Sequence, residues 1–224
     1  MEKPFVYANL AITLDGKIAS FDREDFSLGS SADRLEMDRL RAGADVVVWG
    51  GGTLRTARHP ARVREESLVR ERVERGVAPH PANALITKSG AFPDELPWFS
   101  ADEIERFIFT APEGASRLEG ARDAGAQIIV LDEADSLARQ VLAHLGERGM
   151  KNVLIEGGGD LVWEFARYID EFHVTLTPWL AGGSDAPTLM DGPGFRSGEF
   201  LGLTLVEVRQ EGDEIFLRYA RKPE

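Results

Sequence analysis

Residues 153–165 read VLIEGGGDLVWEF, and the fold turns on how that stretch is taken. Val153, Leu154 and Ile155 form a short apolar run with the character of a buried strand. Gly157, Gly158 and Gly159 follow, and then Leu161, Val162, Phe165 and Ile169 recur at helical spacing. A strand that turns through glycines into a helix leaves backbone N–H groups uncovered, which suits a phosphate or pyrophosphate. Glu156 stands at the carboxyl end of the strand, where open α/β sheets place their ligands. The G-x-G-x-x-G fingerprint is not completed, because Val162 holds its last position. The alternative is a tight turn that needs glycines at positive φ and nothing more.

Outward from this junction the chain alternates apolar strands with amphipathic helices. Upstream, Phe5–Leu14 reads as a strand closed by Asp15-Gly16, and Ser30 or Ser31 caps a helix to about Ala42. Asp45–Trp49 is a strand that also runs into glycines, Gly50-Gly51-Gly52-Thr53. Glu65–Arg75 is rich in i,i+4 Glu/Arg pairs, and Gly114–Ala124 is expected to be a weak helix. Ala84–Thr87, Phe107–Thr110 and Ile128–Leu131 are further short strands, and Leu137–Leu145 is an amphipathic helix. After Asp170 the chain turns β-rich and closes with a hairpin about Gln210–Asp213. The fold expected is α/β and three-layer, a mainly parallel sheet with a C-terminal antiparallel hairpin, in a single domain over residues 1–224.

Composition narrows the function. Cys 0 excludes disulfides and thiolate metal sites, and makes a cytoplasmic protein the simplest expectation. No apolar run approaches the roughly 20 residues that span a bilayer, and the start Met1-Glu2-Lys3-Pro4 does not read as a signal peptide. A net charge of -12 argues against nucleic acid or an anionic membrane as partner. Against that acidity, Arg55, Arg58, His59, Arg62 and Arg64 form an acid-free basic run, which reads as a local anion site or as solvated surface. His59, His80, His144 and His173 show no metal-ligand spacing, and no metal is expected.

Several segments, taken in order, resemble the pyrimidine reductases of riboflavin biosynthesis (the RibD C-terminal reductase domain), whose fold is dihydrofolate-reductase-like. They are Asn9–Ala19 (NLAITLDGKIA), Arg39-Leu40-Arg41-Ala42, Gly52-Thr53, Leu154–Gly159, Asp170-Glu171, Thr177-Pro178, Gly182-Gly183, Ala186-Pro187-Thr188 and Asp191-Gly192-x-Gly194-Phe195. The resemblance implies an NADPH-dependent reductase that converts the ribosyl group of a ribosylaminopyrimidine 5′-phosphate to ribityl, working as a homodimer. It implies cofactor contacts at Ala11, Thr53 and Gly157, Gly158 and Gly159, and substrate contacts at Arg41, Arg64 and Glu156. Guanidinium forks at Arg41 and Arg64 suit phosphate oxygens. Asn9 lies on the same opening segment and is a further substrate candidate. Lys88, at a strand end, is a candidate for the cofactor 2′-phosphate, with an exposed loop lysine as the alternative. No catalytic residue is identified.

Three positions depart from the family pattern. Asp-Asp-Pro after Gly-Thr is replaced by Ala57-Arg58-His59, the Asp-Ser ending the next strand by Thr87-Lys88, and the loop position that in the family often holds a substrate-binding serine falls near Asp25, so that serine is lost. The alternatives are a reductase of the same fold acting on another substrate such as a pterin, and a non-catalytic nucleotide-binding protein. Phe172, Trp179 and Phe216 are expected to supply the apolar surface for dimerisation.

Overall fold

Nine strands and seven helices are present among the described residues, which are 3–23, 27–93 and 96–223 of this computed structural model. The position Asp25 lies outside them. The first part of the chain gives β1 (Phe5–Ile12), α1 (Ser31–Gly43), β2 (Val46–Gly50), α2 (Gly51–Ala57), α3 (Glu66–Glu74), β3 (Ala82–Thr87) and β4 (Arg106–Thr110). The rest gives α4 (Pro112–Ala115), α5 (Glu119–Asp123), β5 (Gln127–Val130), α6 (Leu137–Glu147), β6 (Asn152–Ile155), α7 (Gly159–Phe165), β7 (Glu171–Leu176), β8 (Leu203–Glu211) and β9 (Glu214–Arg221). The chain forms two compact units, Met1–Pro4 with Asp38–Leu154, and Phe5–Met37 with Ile155–Glu224.

In the unit built on Asp38–Leu154 the strands run in the order β5-β4-β3-β2, with β6 beyond β2. The pairs β2/β3, β3/β4 and β4/β5 are all parallel, and Gly50 registers with Ile86 and Thr87 with Thr110. Every residue of β3 and β4 is buried, so both faces of these strands are covered. That explains why they read as unbroken apolar runs rather than alternating ones. α6 is capped by Ser136 and buries Ala138, Val141, Leu142 and Leu145, the stripe its 3.6-residue spacing predicts. His144 on the same helix sits edge-on to Phe107 and Phe109 at 6.0 and 5.5 Å, and burial lowers its pKa.

The single helix expected over 114–124 is instead α4, a 3-10 turn at Ser116–Leu118 and α5. Gly114 lies within α4 and lets it dock closely. A Cβ there would overlap the Thr110 hydroxyl and the Lys88 carbonyl oxygen, so the backbone lies flush against the ends of β3 and β4. Gly120 further weakens the helix that follows.

In the unit of Phe5–Met37 and Ile155–Glu224 the order is β1-β7-β9-β8. β1 and β7 are parallel, while β7/β9 and β8/β9 are antiparallel. The hairpin turns at Gly212, whose φ of 60° only glycine adopts readily. Phe172 and Phe216, expected on the surface, are in fact buried, whereas Trp179 is 49% exposed. The reason for Phe216 is Arg209, whose guanidinium lies 4.1 Å over its ring and is paired to Glu36 of α1 at 3.1 Å. Among the strands of this hairpin, the exposed apolar side chains lie on β8, at Leu205, Val206 and Val208. No helix among the described residues is long and apolar enough to cross a membrane.

Candidate functional site

The three consecutive glycines have three different physical reasons. Gly157 has φ 80°, a left-handed conformation that L side chains rarely adopt. At Gly158 an added Cβ would meet no atom of a described residue within 4 Å, its chain neighbours aside. At Gly159 it would overlap the Asp191 carboxylate and lie 2.6 Å from the Thr188 carbonyl oxygen. One glycine turns the chain, one has open space where a side chain would be and one lets α7 dock. Gly192 completes that docking from the other side, since a Cβ there would overlap the Trp163 indole of α7. Glu156, just before the turn, is 8% exposed.

The segments around this turn are tied together by short polar contacts. Asp191 accepts from the Thr188 hydroxyl at 2.6 Å and from the Thr188 N–H at 3.1 Å. Lys17 Nζ donates to the Ala186 carbonyl at 3.0 Å, and Ile18 N–H to that of Pro187 at 2.9 Å. Lys17, which reads as a turn residue, is thus a tie between the first turn and the 186–188 segment. The Asp15 carboxylate accepts from the Thr13 hydroxyl at 2.6 Å and from the N–H groups of Ala181 and Gly182 at 3.1 and 2.7 Å. Motifs some 170 residues apart in sequence, Thr13–Ile18, Gly182-Gly183, Ala186–Thr188 and Asp191-Gly192, therefore form one loop assembly beside the glycine turn.

The hydrogen bond from Thr13, with those from Ala181 and Gly182, lowers the Asp15 pKa from 3.8 to about 2. A depressed carboxyl stabilises the fold fully above its unfolded value, and that contribution is lost as pH falls from 3.8 toward about 2. A carbon-13 NMR titration should find the Asp15 carboxyl still ionised at pH 3, where an ordinary aspartate is mostly protonated. A midpoint near 3.8 would show that the loop tie does not form in solution.

Asn9 and Ala11 project from one face of β1. Asn9 registers with His173 and Ala11 with Thr175 on β7, and these with Arg218 and Phe216 on β9. A recess of ≈ 240 Å³ opens here, lined by Asn9, Glu36, His173, Glu207, Arg209 and Arg218. Its charges are internally paired. Arg218 lies 3.8 Å from Glu171 and 3.5 Å from Glu207, and His173 Nε2 is 3.4 Å from Glu171. Burial lowers the His173 pKa, against the opposing pull of Glu171. Behind Ala11, Asp33 of α1 accepts a hydrogen bond from Thr175, and burial, reinforced by the nearby Glu214 charge, raises its pKa.

The remaining candidates belong to the other unit, at two separate places. Thr53 is in the first turn of α2, directly after β2, and Lys88 is exposed directly after β3. Because Gly50 and Ile86 are in register, Thr53 and Lys88 share the carboxyl edge of these two strands. Arg41 is in the last turn of α1, which leads to the amino end of β2. It is 4% exposed, with its guanidinium 6.0 Å over the Trp49 ring and donating to the Arg62 carbonyl at 3.1 Å. Arg64 is exposed, and its backbone is held from the same helix. Asp38 Oδ2 accepts from the N–H groups of Arg64 and Glu65, both at 3.0 Å.

The structure thus brings Arg41 and Arg64 onto one patch and sets Thr53 and Lys88 on another. The basic run does not act as one surface. Arg62 is neutralised by Glu103, and Arg55 lies 5.9 Å over the Phe92 ring. Arg58 closes α2 with φ 62°, its N–H on the Leu54 carbonyl. Asp38 was not legible as part of this region. A lone acid between Met37 and Arg39 on a helix reads as solvated surface, and only the fold shows that it is 5% exposed.

Comparison with known proteins follows the same division of features. The family profile described as the RibD C-terminal domain matches residues 4–217. A protein named 2,5-diamino-6-ribosylamino-4(3H)-pyrimidinone 5′-phosphate reductase, from Archaeoglobus fulgidus, is 28% identical over 200 residues, covering 86% of this chain and 89% of its own. The crystal structure of a pyrimidine reductase-like protein from Corynebacterium diphtheriae superposes with a TM-score of 0.87 at 21% identity, over 99% of this chain and 93% of that one. Dihydrofolate reductase from Enterococcus faecalis superposes with a TM-score of 0.54 at 12% identity, over 98% and 97%. These last two likenesses are of fold: a mixed α/β arrangement of mostly parallel strands with an antiparallel hairpin at the C-terminal end. With a profile match over nearly its whole length, the chain belongs to the RibD C-terminal domain family.

Proposed function

We propose that residues 1–224 act as one NADPH-dependent reductase domain of riboflavin biosynthesis, converting the ribosyl group of a ribosylaminopyrimidine 5′-phosphate to ribityl. The observation that carries this reading is the loop assembly beside the glycine turn. Several of the segments that resemble the family, Thr13–Ile18, Gly182-Gly183, Ala186–Thr188 and Asp191-Gly192, meet there through Asp15, Lys17, Thr188 and Asp191. Relatives bearing the reductase name support the substrate class.

A dinucleotide fits the residues present, since the backbone at Gly158 faces space that a side chain would fill. The reduced nicotinamide supplies the hydride. The protein supplies alignment and charge complementarity. In this reading Ala11, Thr53 and Gly157 to Gly159 hold the cofactor, and Lys88 takes its 2′-phosphate. Asn9, Arg41, Arg64 and Glu156 hold the substrate, with Arg64 on the 5′-phosphate and Arg41 securing the segment from which it projects. The enzyme works in the cytoplasm.

The test is turnover. NADPH oxidation, followed by absorbance, is measured with the 2-amino and the 2-oxo forms of the pyrimidine phosphate and with a pterin. Turnover of one pyrimidine is expected. Binding of NADPH without turnover of either would leave a nucleotide-binding protein instead.

We further propose a homodimer. β8 is an edge strand within its unit, and its exposed Leu205, Val206 and Val208 are an apolar edge of the kind that pairing covers. Light scattering at micromolar concentration should give twice the chain mass, and a monomeric mass would dispose of the idea.

A further inference from the structure

The segment carrying Arg64 is held at both ends by buried side chains. At one end the Asn83 amide accepts from Ala61 N–H at 2.7 Å and donates to the Ala61 carbonyl at 3.1 Å. At the other, Asp38 Oδ2 takes the N–H groups of Arg64 and Glu65, and Arg41, one helical turn on, donates to the Arg62 carbonyl. Between these anchors Ala61 and Val63 are buried, so the alternation of an extended chain sends the Arg64 side chain outward. Asp38 Oδ1 is buried and accepts no hydrogen bond from any described residue. The carboxyl therefore acts through one oxygen, and what that oxygen fixes is the backbone on which Arg64 is mounted.

We propose that Asp38 is a positioning residue for recognition of the substrate phosphate, setting the direction of the Arg64 guanidinium through the N–H groups of Arg64 and Glu65. The inference rests on the reading that Arg64 binds that phosphate. It also explains why an acid sits within a cluster of arginines without forming an ion pair to the one that matters. An Asp38–Arg64 side-chain pair would consume the charge that the ligand needs, whereas a bond to the backbone leaves the guanidinium for the anion. Displacements of about 1 Å in such positioning groups are enough to change rates by about a hundredfold, so the effect on phosphate discrimination is expected to be large relative to the effect on fold.

The readout is the ratio of kcat/KM for the phosphorylated substrate to that for its dephosphorylated form. Five proteins are compared: wild type, Arg64→Ala, Asp38→Ala, the double variant of these two and Asp38→Asn. Far-UV circular dichroism confirms that each is folded. Asp38→Ala should lower the ratio about tenfold, mainly through KM, and should have little further effect once Arg64 is already alanine. Asp38→Asn is the conservative arm and the one most certain to fold. Its carboxamide oxygen takes the place of Oδ2 and its NH2 the place of the oxygen that makes no bond, so it should keep most of the discrimination. If Arg64→Ala lowers the ratio and Asp38→Ala does not, or if the two losses multiply in the double variant, Asp38 does not act through Arg64. If Asp38→Asn loses as much as alanine, the charge rather than the backbone clamp is responsible, and the proposal falls. If Arg64→Ala itself keeps the wild-type ratio, the underlying reading of Arg64 fails, and the positioning role fails with it.

Discussion

Gly158→Val gives a folded protein whose affinity for NADPH is lower by on the order of a hundredfold, about 2.7 kcal/mol. No atom of a described residue beyond the chain neighbours lies within 4 Å of a Cβ added at Gly158, so the fold has room for it. In the proposed reading the valine methyl groups would occupy the volume through which a pyrophosphate reaches the turn, where each charge-assisted hydrogen bond contributes roughly 1.5–3 kcal/mol. The neighbours serve as controls with different outcomes. Gly157→Ala forces a side chain into φ 80° and costs about 1–2 kcal/mol of stability. Gly159→Ala drives a methyl into Asp191 and the Thr188 carbonyl, overpacking worth about 1–3 kcal/mol that loosens α7. A fluorescence titration with NADPH separates these from thermal melting curves. If Gly158→Val melts like wild type and binds NADPH as well, the turn has only a structural role.

Arg64→Ala should abolish most of the preference for phosphorylated substrate. The side chain is exposed and its backbone is fixed, so removing it leaves the neighbouring contacts of Asp38 and Arg41 in place. Loss of one charge-assisted hydrogen bond, roughly 1.5–3 kcal/mol, corresponds to a ten- to hundredfold weaker affinity. NADPH affinity should barely move, since in the proposed reading the cofactor is held by Thr53 and Lys88 at the carboxyl edge of β2 and β3, whereas the Arg64 segment is fixed from α1. Equal discrimination by wild type and variant would put the phosphate elsewhere, with Arg58 the next cation to test because it too is exposed and lies in the same run.

Much of the fold is legible in the sequence because burial writes itself into local pattern. β2, β3 and β4 read as continuous apolar runs because both their faces are covered, and α6 reads as a stripe because one of its faces is. The glycine turn is legible because glycine is the residue that left-handed backbone and close approach both require. Two kinds of feature are not. Alternation along β7 and β9 shows that Phe172 and Phe216 share strands with polar residues, but not that Arg209, held by Glu36, would roof one of them over. The Asp38 clamp joins residues 26 positions apart through backbone N–H groups, and those carry no side-chain signature at all. Arg41 presents the opposite difficulty. The family resemblance implies a substrate contact there, while part of its bonding capacity goes to the Arg62 carbonyl and the Trp49 ring.

The pairing of β1 with β7 also sets a schedule. Tyr7 lies beside Glu171, and Ile12 beside Leu176, so β1 has no partner in its own unit until β7, about 160 residues later, has been made. At about 5–20 residues per second, that is a delay of roughly 8–30 s. Throughout it the segment FVYANLAI, which holds no charge and no proline, is a strand in search of an edge. Nascent chains of this protein are thus most vulnerable to mispairing at β1. Slowing translation between the β1 and β7 codons should lower the soluble yield, and a chaperone that covers β1 should restore it.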